Sequence, residues 1–332
     1  MRLYADLHLH GRYSRGCSTE LSIGSLERWA RVKGLGLLGT GDFTHPAWLA
    51  HLKEQLSEDG SGILRSKSGF CFVLQTELSN IWSQAGRLRK VHNIVLAPSF
   101  EIVDQINEAL SAHGKLAADG RPVFGSWSCV ELVDELISIS REIEIIPAHA
   151  WTPWFSVFGS NSGFDSVEEC FGDRARHIHA LETGMSSDPA MNWRLSALDR
   201  FTLLSNSDSH SFWPWRIGRE CNIFEFGDDA GSRLSYGELI KAIRAREGFV
   251  GTVEVDPSYG KYHFTGHRNC GFVCSPGEAL RLRNRCPICG RQLTVGVAQR
   301  VETLADRPEG FKPRNSQCFW TLLPLSELIA GT

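Results

Sequence analysis

The chain has 332 residues, of which 42% are hydrophobic and 22% are charged, and its net charge is −3. This composition excludes extended disorder, and the length fits one large α/β domain with a small appendage. The sequence shows neither a secretory leader pattern nor a window near the roughly 18 apolar residues of a membrane span. We therefore expect a cytoplasmic protein without a membrane partner, whose ten cysteines are reduced thiols or metal ligands.

The charge is unevenly distributed along the chain. Residues 258–315 carry ten Lys or Arg side chains against four acidic ones, a balance of +6, whereas residues 1–257 carry −8. Bound divalent cations would offset much of the acidity of the first part. The basic segment is suited to neutralising the phosphates of a nucleic acid.

The first apolar run contains a pattern typical of metal ligands, Asp6-Leu7-His8-Leu9-His10. Alternate side chains of an extended segment point to the same side, so Asp6, His8 and His10 are predicted to share one face. Imidazole and carboxylate groups suit zinc, manganese or iron, and such sites need additional ligands from elsewhere in the chain. The pattern alone is weak, because surface histidine pairs of this spacing are common.

The rest of the chain alternates short apolar runs with helical stretches. The predicted strands are 36–40, 70–75, 91–96, 143–148, 177–181, 201–204 and 249–253, and the predicted helices are 25–33, 46–56, 99–113, 131–139 and 236–246. This alternation predicts a parallel α/β sheet or barrel, in which catalytic residues gather at the carboxyl ends of the strands. Glu77, His149, Asp208 and His210 all lie at or just beyond such predicted ends.

A second metal signal lies in the basic segment. Cys270-x3-Cys274 is followed by Cys286-Pro287-Ile288-Cys289-Gly290. Four thiolates in two pairs satisfy a closed tetrahedral structural zinc, so we predict one zinc held by Cys270, Cys274, Cys286 and Cys289, with His267 as an alternative to Cys270. The competing interpretation, a set of buried thiols, is disfavoured in so polar and arginine-rich a stretch.

The sequence resembles the PHP (polymerase and histidinol phosphatase) superfamily of metal-dependent phosphoesterases. The residues that carry the resemblance are Asp6-Leu7-His8-Leu9-His10, Thr40-Gly41-Asp42, His149 and Asp208-Ser209-His210, together with Glu77 and His92. The resemblance implies a distorted (β/α)7 barrel that holds two to three divalent metals (Zn, Mn, Fe or Mg). It also implies metal-assisted hydrolysis of a phosphate ester without a covalent protein nucleophile.

The resemblance also assigns roles to these residues. His8, His10, Glu77 and Asp208 would hold the first metal and form the catalytic set, and Glu77 would bridge to a second metal held with His92 and His149. His210 and Asp42 would belong to a third site, completed by His45 or Cys17. Here the sequence departs from the commonest pattern, because Phe43 stands where a histidine often follows Asp42.

Within this superfamily, the chain resembles the endonuclease Q family. The residues that carry this second resemblance are Gly41 to Pro46, Gln75-Thr76-Glu77, Ala148 to Phe155, Gly266-His267-Arg268 and the Cys-Pro-x-Cys-Gly knuckle. It implies a DNA repair enzyme, cytoplasmic and nucleoid-associated, that nicks DNA on the 5′ side of uracil, hypoxanthine, xanthine and abasic sites. A sliding clamp is a second partner to consider.

The resemblance implies three parts of the chain. Residues 1–256 would form the barrel, residues 257–315 the basic zinc-binding domain, and residues 316–332 a tail that is truncated relative to the family. Ser186, Trp154, Trp213, Lys261 and Arg268 are the candidate contacts to DNA. The aromatic rings lie in loops that follow metal ligands and could stack on an extruded base, or only pack the top of the barrel. Ser186 could hydrogen-bond that base, or belong to a helix cap before Asp188-Pro189.

Two other functions compete with this interpretation. A small-molecule phosphatase of the histidinol-phosphate type would use the same barrel and metals, but it has little use for a basic zinc appendage. A catalytically inactive DNA-binding zinc protein would have lost metal ligands, whereas both core ligand sets are complete in this sequence.

Overall fold

The structure is a computed structural model that describes residues 2–227, 234–323 and 325–330. Of the predicted tail, residues 324, 331 and 332 lie outside these ranges. No helix in the described ranges is long and apolar enough to cross a membrane.

The strands of the described chain are β1 (Arg2–Asp6), β2 (Leu37–Gly39), β3 (Leu56–Ser57), β4 (Leu64–Ser66), β5 (Cys71–Gln84), β6 (Arg87–Ala97), β7 (Val123–Gly125), β8 (Glu144–Pro147), β9 (Ala180–Glu182), β10 (Thr202–Leu204), β11 (Cys221–Glu225), β12 (Phe249–Glu254), β13 (Thr265–His267), β14 (Phe272–Cys274) and β15 (Cys318–Thr321). The helices are α1 (Ile23–Lys33), α2 (Pro46–Gln55), α3 (Phe100–Ser111), α4 (Cys129–Ile139), α5 (Val167–Phe171), α6 (Pro189–Asn192), α7 (Tyr236–Ala245), α8 (Pro276–Arg281), α9 (Val297–Leu304) and α10 (Leu325–Ala330). Single 3-10 turns occupy Leu116–Ala118, Gly172–His177, Ser196–Leu198, Pro257–Tyr259 and Arg268–Cys270.

The helices begin where the sequence supplies caps. Ser22, Ser128 and Ser235 each accept a hydrogen bond from the third residue of the helix that follows, and in each case that residue's side chain bonds back to the cap backbone. This reciprocal arrangement satisfies two backbone donors that have no partner within the helix. Each of these helices then buries one apolar face, as α4 does with Leu132, Val133 and Leu136.

The strands of the large domain form a ring around a buried centre. β1 pairs with β2 in parallel and with β11 in antiparallel, β2 pairs with β5, and β6 joins β5 to β8. The parallel pair β9–β10 fills the remaining arc. The backbone N–H of Ala150 donates to the carbonyl of Glu182 on one side of this pair, and a parallel bridge joins Leu9 to Ser209 on the other. These contacts bring the ends of β1, β8, β9 and β10 to one rim.

The strands form a closed ring, but the ring mixes parallel and antiparallel pairs, whereas the sequence pattern predicted a parallel sheet or barrel. β5 and β6 form one long antiparallel hairpin that turns at Ala85 and Gly86, both with positive φ (50° and 72°). Such a two-residue turn matches the twist of paired strands. Buried polar side chains along both strands, including Asn80 and Asn93, hide the alternation of apolar residues that identifies a strand.

Two further details of the predicted strands are corrected. Glu77 was expected at the tip of a strand, but β5 continues to Gln84 and places Glu77 within it. Strand β11 was not predicted, although it is fully paired between β1 and β12. Residues 226–235 lie between β11 and the next helix, so its apolar run lacks the strand-then-helix pattern on which the prediction relied.

The segment after β12 forms a small unit of its own. β13 and β14 make a two-stranded antiparallel sheet, and Cys274, Ala279, Cys286 and Leu293 form a separate small core beneath it. Helix α9 packs Val297 and Val301 against the core of the large domain. The chain then returns to the main sheet, where β15 pairs with β12 in parallel.

Candidate metal centre and adjoining cleft

Two groups of buried and partly buried side chains meet at the rim formed by β1, β8, β9 and β10. His8, His10, Glu77 and Asp208 form the first group, and Glu77, His92 and His149 form the second. Within each group the potential ligand atoms lie within 4.8 Å of one another. These are the two ligand sets that the sequence predicted, brought together from five separate parts of the chain.

Glu77 belongs to both groups because its two carboxylate oxygens face different neighbours. Oε1 lies 2.9 Å from Nδ1 of His92 and 3.1 Å from Nε2 of His149. Oε2 lies 3.3 Å from Nε2 of His10 and 3.7 Å from Nε2 of His8. The central position of Glu77 on β5 therefore gives it the geometry of a bridging ligand.

Asp208 reaches the first group because the chain after β10 runs beside the chain after β1. The backbone N–H of His10 donates to the carbonyl of Ser209 across 3.1 Å. This register places Oδ1 of Asp208 at 3.1 Å from Nε2 of His10 and at 3.8 Å from Nε2 of His8. Residues far apart in sequence thus share one site through a single backbone contact.

Three residues of this region hold unfavourable backbone conformations. Asp42, His149 and Asp208 have φ values of 38°, 30° and 47°. Left-handed conformations are costly for residues other than glycine, and they persist where the surrounding structure requires them, most often at functional sites. Gly184 supports one of them, because a Cβ at this position would lie 2.7 Å from Cβ of His149.

Two carboxylates orient the histidines of the first group through the Nδ1 side of each ring, opposite the Nε2 atom that faces the group. Glu182, at the end of β9, lies 3.0 Å from Nδ1 of His8, and it also accepts the backbone N–H of His149 across 2.7 Å. Asp42 lies 3.0 Å from Nδ1 of His10. A carboxylate that accepts from one ring nitrogen fixes the tautomer and leaves the other nitrogen to face a metal.

The structure does not bring the predicted third site together. Asp42 is fully buried, and besides His10 it accepts hydrogen bonds from the backbone N–H of Gly11 at 2.5 Å and the hydroxyl of Ser14 at 2.7 Å. His210 lies beside the His10 ring, and its Nδ1 is 3.0 Å from the carbonyl of Asp208. Within the described ranges, no ligand group contains Asp42, His210, His45 or Cys17.

Asp6 also has a different role from the one its spacing suggested. Its carboxylate accepts the backbone N–H groups of Ser207 at 3.1 Å and Gly218 at 2.7 Å. It is fully buried and belongs to neither ligand group. Asp6 therefore ties β1 to the loops that follow β10, and the period-two pattern could not reveal this because those loops are distant in sequence.

Sequence reasoning missed Glu182 and Arg121. Nη1 of Arg121 donates to Oε2 of Glu77 across 2.9 Å, so a cation faces the shared carboxylate. Glu182 lay just beyond a predicted strand and could have been noticed as a carboxylate at a strand end. Arg121 follows a 3-10 turn in a loop, and nothing in its sequence context indicates its partner.

The electrostatics of the site favour ionised carboxylates. Burial penalises the charge of Glu77, but the neighbouring histidines and Arg121 hold its pKa well below its usual range. Burial also opposes charge on His8, yet Glu182 and Glu77 raise its pKa well above the ordinary value. Burial lowers the pKa of His92 to about 4, so this ring is neutral and its lone pair is available to a metal.

Divalent metals fit these residues. Nε2 of His8 is buried and has no hydrogen-bond partner, although carboxylate oxygens of Glu77 and Asp208 lie 3.7 and 3.8 Å away. Ligand atoms at this separation can share a cation that each binds at about 2.0–2.2 Å. The mixture of imidazole and carboxylate is the donor set of zinc, manganese or iron.

A cleft of about 490 Å³ opens beside the second ligand group. Its lining includes His92, His149 and Asp208, together with three of the predicted DNA contacts, Ser186, Trp154 and Lys261. A second cleft of about 550 Å³ shares Trp154, Lys261 and Tyr262 with the first and extends over β13 and β14, where it is lined by Arg268. Trp213 lines neither of these two clefts.

The Cys-rich segment contains a third ligand group of different composition. His267, Cys270, Cys286 and Cys289 lie within ligand distance of one another, and Nδ1 of His267 is 3.5 Å from Sγ of Cys289. Cys274 is not part of this group, contrary to the prediction. It pairs with Thr265 across the β13–β14 ladder, and its Sγ lies 3.6 Å from the Thr265 carbonyl, inside the small core. His267 therefore replaces Cys274, not Cys270. One histidine and three thiols suit a structural zinc.

Comparisons with known proteins agree with this architecture. No protein-family model matches the chain. The crystal structure of the lesion-specific endonuclease PfuEndoQ from Pyrococcus furiosus superposes on the whole chain with a TM-score of 0.85 and 32% identity, and 78% of that chain is covered. A crystal structure of endonuclease Q in complex with a 27-mer duplex substrate, which has an abasic lesion at the active site, superposes with a TM-score of 0.86 and 32% identity. The match covers 99% of this chain and 78% of that chain.

A curated relative extends beyond this chain. An uncharacterized protein of Methanocaldococcus jannaschii is 33% identical over 184 residues, which are 55% of this chain, and the chain spans only 22% of that protein's length.

The match to the two crystal structures, by contrast, runs along essentially the entire sequence. It confirms the predicted α/β architecture with its small Cys-rich appendage, and the chain belongs to the endonuclease Q family.

Proposed function

We propose that this protein is a metal-dependent DNA repair endonuclease. It hydrolyses the phosphodiester bond on the 5′ side of deaminated bases, namely uracil, hypoxanthine and xanthine, and of abasic sites. The observation that carries the proposal is the pair of ligand groups joined by Glu77 at one wall of a cleft that also presents an aromatic ring and a cation. Membership of the endonuclease Q family supports DNA as the substrate.

The proposal assigns His8, His10, Glu77 and Asp208 to one divalent metal and Glu77, His92 and His149 to a second. Bound cations would supply Lewis-acid activation of water and neutralise the charge of the phosphoryl oxygens. Glu182 and Asp42 hold His8 and His10 in the tautomers that ligation requires. Arg121, whose side chain is partly exposed beside Glu77, adds a fixed positive charge where an anionic phosphate would approach.

The cleft suits an extruded nucleotide. Its volume of about 490 Å³ lies within the range of small-ligand pockets, and its lining combines Trp154 and Tyr262 with Ser186. A damaged base costs less to unstack than a paired one, which favours lesions over intact DNA. Trp154 would stack on the extruded base or its neighbour, and Ser186 would hydrogen-bond it. Lys261 and Arg268 would hold flanking phosphates, so binding should weaken steeply with salt.

We propose a division of the chain into a barrel of residues 1–256, a zinc-binding domain of residues 257–315 and a tail of residues 316–332, whose strand β15 adds to the main sheet. Support for this division comes from the separate small core around Cys274 and Cys286 and from the separate β13–β14 sheet. In this arrangement the zinc holds the basic domain beside the cleft, and the barrel supplies the chemistry.

A nicking assay tests the proposal. End-labelled duplexes that contain one deoxyuridine, deoxyinosine or abasic site are incubated with the protein and Mn, Mg or Zn, next to an undamaged duplex. We expect a single cut immediately 5′ of the lesion, none in the control duplex, and none with Glu77→Ala or Asp208→Ala. Asp104→Ala, which removes an exposed carboxylate paired with Lys53, should cut like the wild type.

Other outcomes would select a competing function. Absence of cutting with every metal, together with release of phosphate from p-nitrophenyl phosphate, would overturn the endonuclease assignment in favour of a small-molecule phosphatase. Tight binding of the lesion duplex without any hydrolysis would indicate an inactive DNA-binding protein.

A further inference from the structure

A column of aromatic rings lies on the loop that follows Asp208-Ser209-His210. Phe212 is buried, and its ring lies 4.7 Å from that of Trp213. The ring of Trp213 in turn lies 5.0 Å from that of Trp215, with only 5° between the planes. Trp29, on helix α1, closes on Trp213 from the side at 6.2 Å. The column therefore begins in the core and ends at an indole that is 47% exposed.

The loop that carries this column is held in place. Nζ of Lys33 donates to the carbonyls of Pro214 and Ile217 at 2.8 and 2.7 Å. The side chain of Ile217 is completely buried, and its backbone N–H donates to the carbonyl of Trp213. The exposed indoles thus stay at the surface because of a fixed backbone, and little conformational entropy is lost when something stacks on them.

The surroundings of the column are basic. Arg216 is exposed next to Trp215 in sequence, and the guanidinium of Arg28 lies 5.3 Å above the ring of Trp29. The neighbouring acid on α1, Glu27, is already paired with Arg31 at 2.8 Å. In the described part of the chain, neither Arg28 nor Arg216 forms an ion pair. An exposed aromatic face with such cations nearby complements a molecule that combines flat rings with negative charge, as a nucleic acid strand does.

The column also lies close to the candidate metal centre. Trp213 is three residues from His210, so their Cα atoms are at most roughly 11 Å apart. Adjacent bases of one DNA strand are about 3.4 Å apart along the duplex axis. A strand whose phosphate lies at the metal centre would therefore pass the column within a few nucleotides.

We propose that the outer face of Trp215 is a stacking site for one unpaired nucleobase of the DNA strand that flanks the lesion. The base continues the column Phe212–Trp213–Trp215, while Arg216 and Arg28 neutralise adjacent phosphates. This site is separate from the cleft lined by Trp154, and it would hold the strand open beside the extruded nucleotide. The inference rests on the proposed function for its substrate.

The test measures binding without cleavage. In an Asp208→Ala background, duplexes with one abasic site carry the fluorescent base 2-aminopurine at one of the three positions on either side of the lesion. We expect emission at one position to fall when the protein binds and to recover with Trp215→Ala. That variant should bind the duplex roughly five- to 150-fold more weakly, as expected for the loss of one stacked base. Trp215→Phe should be intermediate.

Trp320→Ala is the matched control, because Trp320 is similarly exposed (42%) but lies on β15. It should leave both affinity and emission unchanged. Unchanged affinity of Trp215→Ala, or a loss of affinity with no position-dependent change in emission, would overturn the stacking site, and the former result would direct attention to a protein partner. Since no hydrolysis is needed, a negative nicking assay and a negative stacking assay remain distinguishable.

Discussion

Nδ1 of His8 lies 3.0 Å from Oε1 of Glu182, the arrangement in which a metal-ligating histidine donates its second ring N–H to a carboxylate. This single contact fixes the tautomer of His8 and directs Nε2 toward Glu77 and Asp208. The other oxygen of Glu182 accepts the backbone N–H of His149. One buried carboxylate therefore supports a ligand of each candidate metal.

Replacement of Glu182 should weaken the binding of both metals. We expect Glu182→Gln to lower metal affinity by roughly 10- to 100-fold, because outer-shell partners of ligating histidines typically contribute that much. Titration of the apoprotein with Mn²⁺ by calorimetry would measure the change. Glu144→Gln removes another buried Glu–His pair, at 3.1 Å from His179, and should leave affinity unchanged. Equal affinities in the two variants would contradict the positioning role.

Gly184→Ala should weaken the binding of the second metal, the one assigned to Glu77, His92 and His149. The new Cβ would lie 2.7 Å from Cβ of His149, and φ at this position is 67°. We expect a loss of unfolding free energy of about 1–3 kcal/mol and weaker binding of one of two metal equivalents. Gly34→Ala is the control, because φ there is 83° but nothing lies within 4 Å. This control variant should lose about 1 kcal/mol of unfolding free energy and retain both metal equivalents. Urea denaturation and metal analysis would measure the two quantities.

The composition of the zinc group predicts that two neighbouring cysteines differ in their effect on zinc content. Cys270→Ser should lose one equivalent of zinc per chain, whereas Cys274→Ser should retain it, because the group of ligand atoms comprises His267, Cys270, Cys286 and Cys289 and does not include Cys274. Elemental analysis of the purified variants would measure the difference. Retention of zinc by His267→Ala together with its loss from Cys274→Ser would restore the four-cysteine site.

Stability should fall between about pH 5 and pH 8. Burial raises the pKa of Glu254 to about 8, and burial together with Glu254 raises that of Glu220 well above its usual range. Across this interval the native protein holds a proton that the unfolded chain releases, so the unfolding free energy decreases as the pH rises. The decrease should be on the order of a few kcal/mol, since one pKa unit corresponds to about 1.4 kcal/mol.

Glu254→Gln isolates this effect. Its unfolding free energy, measured by urea denaturation at several pH values, should depend less on pH, and the variant should gain stability relative to the wild type as the pH approaches 8. The difference between the two proteins at each pH removes contributions from the metal ligands. Parallel pH profiles would show that Glu254 is ionised in the native state throughout.

The grouping of His8, His10, Glu77 and Asp208 could be predicted because the short motifs that contain these residues carry a family resemblance, and the resemblance implied their shared metal. Their supporting residues could not, since the partner of Glu182 is 174 positions away and only the closed ring of strands brings it near His8. The pairing of Asp6 with Gly218 has the same origin. Spacing within a strand indicates which way a side chain points, but not whether a distant loop already occupies its hydrogen-bonding groups.

The predicted fold class was confirmed, but two details of the prediction were wrong where local patterns were ambiguous. Polar residues buried on both faces of β5 and β6 concealed a long hairpin, and the x3 spacing of Cys270 and Cys274 suggested a shared ligand pair. In the folded chain, the ladder register opposite Thr265 turns Cys274 inward. Register depends on the partner strand, and a single strand does not encode it.

The return of the chain from the zinc-bearing segment to the main sheet has a practical consequence for dissecting this protein. The chain leaves β12 at Glu254 and re-enters beside Gly251 at Cys318, where only a glycine admits the approaching backbone. Strand spacing and rise place these two points roughly 11 Å apart. The intervening residues are therefore an internal insertion. A short linker in their place would keep the sheet whole, but it would remove Val297 and Val301 from the core of the large domain. Truncation after Glu254 would instead remove β15. The backbone groups of β12 that pair with β15 would then be exposed at the edge of the sheet, where they favour self-association.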